Sequence, residues 1–156
     1  MKRFTAVAAS SLALFFGSPQ AGAMTILYNV TLSGTESVPA NASTAFGSAT
    51  VTVDDVANTV KVILSFSGLN GGNASAAHIH CCVPTSTTGP VVIPFTAFPT
   101  ASSGTYSNTF TGVSAANIAD IKAGLAYINI HDATFPVEKS EGTYWLRQYQ
   151  NPRPTQ

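Results

Sequence analysis

Residues 47–67 read Gly-Ser-Ala-Thr-Val-Thr-Val, then Asp-Asp-Val-Ala-Asn, then Thr-Val-Lys-Val-Ile-Leu-Ser-Phe-Ser. Apolar and polar side chains alternate through both flanks, which is the period of a strand and not of a helix. Asp54, Asp55 and Asn58 between them are turn formers, because their short side chains bond the local backbone. The two flanks therefore read as a β-hairpin, Gly47 to Val53 returning as Thr59 to Ser67.

The same period extends in both directions. Ile26-Leu27-Tyr28-Asn29-Val30-Thr31-Leu32 is an earlier strand closed by Ser33-Gly34. After the loop Gly68 to Asn73 comes a strand from Ser75 to Cys81, and after the loop Thr85 to Gly89 come strands at Val91 to Phe95 and Gly104 to Thr111. Ser114 to Ala123 is the exception, a helix with Ser114 as N-cap and Gly124 as stop. Leu125 to His131 and Thr143 to Tyr149 are the last strands, with Pro136 to Glu141 read as a loop. Many short strands separated by turns predict an all-β, antiparallel β-sandwich with one short helix.

The chain has 156 residues. Its start has the form of a secretory leader, with Lys2 and Arg3, an apolar run from Phe4 to Phe16, and Ala21-Gly22-Ala23 before a cleavage site. We expect a signal peptide at 1–23, one domain at 24–150 and an unpaired tail at 151–156. The apolar run is shorter than the ~20 residues that a spanning helix needs, so we expect no membrane span in the mature chain. Seven basic residues balance seven acidic ones. Loss of the leader removes Lys2 and Arg3 and leaves the remainder slightly acidic. With no basic cluster, nucleic acid is not an expected partner. Charged residues are only 9% of the chain, which suits an exported β-protein, secreted or periplasmic.

The three histidines are His78, His80 and His131. On a strand, His78 and His80 face one way while Ala77, Ile79 and Cys81 face the other. In the later strand, Tyr127, Asn129 and His131 share the face opposite Ile128 and Ile130. If the two strands are neighbours, three imidazoles converge, a donor set suited to copper or zinc. Without such convergence they are hydrogen-bonded strand residues. Cys81 and Cys82 are adjacent, with Cα atoms ~3.8 Å apart against the ~4.4–6.8 Å of an ordinary disulfide. We read a vicinal disulfide first. The alternative is Cys82 as a soft fourth ligand on the histidine face, if the strand continues.

Other constellations are weaker. Asp132 follows His131 and reads as a solvated loop carboxylate, able to orient an imidazole only after a bend. Asn29, Asn41 and Asn73 head glycosylation triplets that matter only in a eukaryotic secretory host. Tyr144, Trp145 and Tyr149 read as packing residues.

Taken in order, Leu32-Ser33-Gly34-Thr35-Glu36-Ser37-Val38-Pro39, Gly47 to Asp54, Ala76-Ala77-His78-Ile79-His80 and Ala126-Tyr127-Ile128-Asn129-Ile130-His131 resemble the CHRD domain. That module is named after chordin and is found in many secreted bacterial proteins. The resemblance spans about Thr25 to Arg147, and His-Ile-His-Cys-Cys looks like a bacterial subgroup. It implies an immunoglobulin-like or superoxide-dismutase-like sandwich, and it places His78, His80 and His131 among the family's recurrent histidines. The segment after His131 departs from the family's Gly-Gly-Glu-Ile-Arg-Gly type pattern.

The first functional expectation is an exported module that binds a copper ion, or zinc, through His78, His80 and His131, with Cys82 as the candidate fourth ligand, for sequestration or delivery. The second is a metal-free interaction or matrix module with an extracellular protein partner. A superoxide-dismutase-like enzyme is the weakest, because copper redox turnover needs a well-supported open site and a guiding positive field. We therefore expect no enzyme.

Overall fold

A computed structural model describes residues 25–37, 40–84, 87–134 and 141–145. The expected leader (1–23), the tail (151–156) and the loop at 136–140 lie outside the described residues. Among those described, eight strands form two four-stranded antiparallel sheets. They are β1 (Thr25–Ser33), β2 (Phe46–Asp54), β3 (Thr59–Ser67), β4 (Ala76–Cys81), β5 (Val91–Pro94), β6 (Gly104–Phe110), β7 (Ala126–His131) and β8 (Glu141–Trp145). The first sheet has the order β1-β2-β3-β6 and the second β5-β4-β7-β8. The molecule is an all-β sandwich with one short helix, α1 (Ala115–Lys122), among the described residues.

The hairpin forms as its alternation requires. β2 and β3 pair from Phe46↔Ser67 to Asp54↔Thr59. At the turn, Asp54 Oδ1 accepts hydrogen bonds from the Val56 and Ala57 N–H groups at 3.0 and 2.8 Å. Asn58 takes a positive φ of 53°, a conformation that asparagine tolerates better than most residues. The hairpin's inward residues Val51, Val53, Val60, Val62 and Leu64 are buried. They meet Ile79, Ile93, Ile128 and Ile130 of the second sheet in one core. Each such side chain contributes about 1.5–3 kcal/mol of burial free energy.

Helix α1 bridges β6 and β7 in sequence. Ser114 Oγ accepts from Asn117 N–H at 3.1 Å as the N-cap. Gly124 follows at a φ of 76°, the left-handed conformation that closes a helix. Ile118 and Ile121 are its buried side chains, and Lys122 pairs with Asp55 at the β2–β3 turn. The last strand begins at Glu141, two positions before the expected Thr143, and pairs with β7. The expected continuation to Tyr149 lies outside the described residues.

Two features of the second sheet position the site. β4 and β7 are neighbours, with His78 opposite Asn129, His80 opposite Tyr127 and Ala76 opposite His131. In addition, the β4–β5 register shifts between Ile79 and His80, a bulge beside the histidine pair.

Candidate metal centre

Strand parity places His78 and His80 on the outward face of β4, away from Ala77, Ile79 and Cys81 in the core. β7 does the same for Tyr127, Asn129 and His131. The small Ala76 stands opposite His131 and leaves room for that ring to lean toward its diagonal neighbour His78. The His78 and His131 ring centroids are 5.2 Å apart, His78 and His80 5.6 Å, and His80 and His131 6.4 Å. One nitrogen of each ring lies within 4.8 Å of the others. Ligands sharing one ion at ~2 Å sit within ~4 Å of one another, so the three rings must draw slightly closer to hold one.

This outward face is unusually buried. All six residues of β7 are buried, including Tyr127, Asn129 and His131. The loop before β5 folds over part of it. Gly89 N–H donates to Tyr127 Oη at 3.0 Å, and the Gly89 carbonyl lies 2.8 Å from His80 Nδ1. Since the carbonyl can only accept, His80 Nδ1 carries the proton and Nε2 holds the lone pair. A metal-binding histidine is commonly held this way, its second nitrogen fixed by a carbonyl. The His80 ring also stacks on Tyr127, centroids 4.8 Å apart and planes within 6°. No larger residue fits at position 89, because a Cβ there would lie 2.6 Å from the Cys81 carbonyl oxygen.

The site's polar atoms are poorly satisfied without a ligand. His78 Nδ1, His80 Nε2 and Asn129 Oδ1 are buried and have no hydrogen-bond partner. Buried polar groups in native proteins are nearly always paired, so such a cluster calls for a missing partner. Burial, then the neighbouring His131 and His80, pull the His78 pKa down to about 4. Burial also lowers that of His80, partly offset by its bond to Gly89. Both rings are therefore neutral at physiological pH, which is the ligand form. These residues fit a first-row transition ion of nitrogen preference, which would supply Lewis acidity or, as copper, a redox centre.

The family model of the CHRD domain matches residues 28–138 and so covers most of β1, all of β2 through β7, and all three histidines. The chain belongs to the CHRD domain family. Searches of curated proteins and of solved structures return no significant match.

Two expectations need correction within this CHRD domain. Cys82 does not join the histidines. The strand ends at Cys81, so parity no longer governs the next residue, and Cys82 is disulfide-bonded to Cys81 across a cis peptide. Its sulfur faces α1, 3.8 Å from Asn117 Oδ1. Asp132 is not a solvated carboxylate. It is fully buried, and its two oxygens accept the Gly71 N–H at 2.9 Å and the Thr134 N–H at 2.8 Å. The chain leaves β7 at His131, and the carboxylate ties that exit to the loop after β3. Three contributors escaped the sequence reading. Tyr127 and Asn129 were legible as sharing the His131 face but carried no ligand signature. Gly89 gave no signal, since its role depends on where its loop folds.

Proposed function

We propose that this CHRD domain is an exported, non-catalytic copper-binding module, acting in sequestration or delivery, with His78, His80 and His131 as the protein ligands. The observation that carries this reading is the set of unpartnered, buried ring nitrogens of His78 and His80, held neutral beside His131. Three imidazoles with an open position also suit zinc, and metal identity is part of the test. Export is supported by the leader pattern at 1–23, and no described helix is long and apolar enough to cross a membrane.

The test is metal content and affinity of the purified mature chain, followed by competition between copper and zinc. One equivalent of copper is expected. His78→Ala and His131→Ala should each weaken it by more than the roughly 10–100-fold that follows loss of a supporting residue. Unchanged copper affinity in both variants would sink the reading. It would favour the alternative, an interaction module whose thermal stability is indifferent to chelators.

A further inference from the structure

We propose a second metal site, formed by Cys81, Cys82 and Asp120 when the disulfide is reduced and taking a thiophilic d10 cation. One ligand atom from each of these residues lies within 4.8 Å of the others. α1 brings the carboxylate there. Asn117 and Asp120, three positions apart, lie on one helix face turned toward the end of β4. Cys81 is buried while Cys82 and Asp120 are half-buried, so an ion and a reductant have access from the Cys82 side.

The disulfide is not a staple. A bridge stabilises chiefly by closing a chain loop, and this one joins residues separated by a single position. The backbone is already tied on both sides of it. Cys81 N–H donates to the Pro90 carbonyl at 3.1 Å, and Val83 N–H to the Leu125 carbonyl at 3.3 Å. The backbone that carries both sulfurs is therefore held when the bond is opened, and the sulfurs part only as far as two side-chain rotations take them. Cys82 Sγ has no proton in the disulfide, so its approach to Asn117 Oδ1 is only a contact. In the thiol it becomes an S–H···O bond.

The chemistry balances with an external dithiol. The dithiol gives two electrons and two protons, leaves as its own cyclic disulfide, and Cys81 and Cys82 become thiols. A divalent ion then displaces both thiol protons, leaving two thiolates and the Asp120 carboxylate as ligands. Soft thiolates select such ions over the hard cations that carboxylates alone would bind. In an exported chain the oxidised form is the resting one, so the site answers to a reductant.

The site is independent of the three histidines, and the experiment separates the two. The His78→Ala/His131→Ala chain is titrated with Cd(II) before and after dithiol treatment, under anaerobic conditions and with the dithiol removed. One equivalent of Cd(II), with thiolate-to-metal absorption, is expected only after reduction. Cys82→Ser should abolish it, and Asp120→Asn should weaken it by at least about tenfold, no less than the loss of a supporting residue costs. The oxidised His78→Ala/His131→Ala chain is the control and needs no cysteine substitution. No bound equivalent after reduction, equal binding by the oxidised chain, or full affinity in Asp120→Asn would each overturn the site as assigned.

Discussion

The two sheets follow the same inward rule and opposite outward ones. Both bury an apolar face against the shared core, Leu64 from one and Ile128 from the other. Outside, the first sheet shows water a rank of hydroxyls, Thr31, Ser48, Ser65 and Thr105, aligned across β1, β2, β3 and β6, beside the exposed apolar Leu27, Phe46 and Ile63. Ser48 and Ser65 bond each other at 3.1 Å, and solvent satisfies what remains. The second sheet buries polar rings and an amide on its outer face and leaves some of their atoms unpartnered. An exposed polar face needs no explanation, whereas a buried one does. The contrast supports the metal site proposed on the β4–β7 face.

The largest expected effect tests the shared half of that contrast. Leu64→Ala and Ile128→Ala should each cost about 2–5 kcal/mol in chemical denaturation, because both leave a cavity in one core. If only one of them is costly, the sheets do not share a core in the way described.

Gly89→Ala addresses the covered face. The added Cβ meets backbone at Cys81 and cannot be relieved by a rotamer change. The loop must lift, taking the carbonyl from His80 and the N–H from Tyr127. We expect about 1–3 kcal/mol of destabilisation from the overpacking. Copper affinity should fall by roughly 10–100-fold, as when a ligand loses its orienting partner. Unaltered affinity, measured by competition with a chelator, would remove Gly89 from the site.

Acidification should then single out the second sheet. The folded chain holds His78 at about 4, below the ordinary 6.5. Between those values the unfolded chain takes up a proton that the folded chain refuses, so stability must fall with pH. The His78 contribution is fully present above about pH 6.5 and is lost as pH drops to about 4. Denaturation midpoints of the metal-free chain across that range should decline, and His78→Ala should flatten the decline.

The smallest effect belongs to the exposed face. Ser65→Ala should stay within about 0.5 kcal/mol of the parent and leave copper binding unchanged. A larger loss would mean that the hydroxyl rank is not simply solvated.

Much of this architecture could be read before folding, because it rests on local pattern. Alternation at 47–67 set the hairpin, and the same period marked β1 and β4 to within a residue or so of their ends. Ser114 and Gly124 bracketed α1. His78 and His80 share a face for the same reason, since the strand period is two. Parity failed where β4 stopped, since Cys82, one residue past it, turned to α1. Asp132, one past β7, kept the inward side, but two backbone N–H groups and not water satisfy its carboxylate.

The sequence by itself thus determined which face of each strand carries which side chains, a local consequence of backbone geometry. Only the tertiary structure decided that β4 and β7 lie side by side, that the Gly89 loop covers their outer face, and that Asp120 meets the cysteine pair. Those are contacts between residues distant in the chain, and they follow from how two sheets and their loops pack, which no period within a strand encodes.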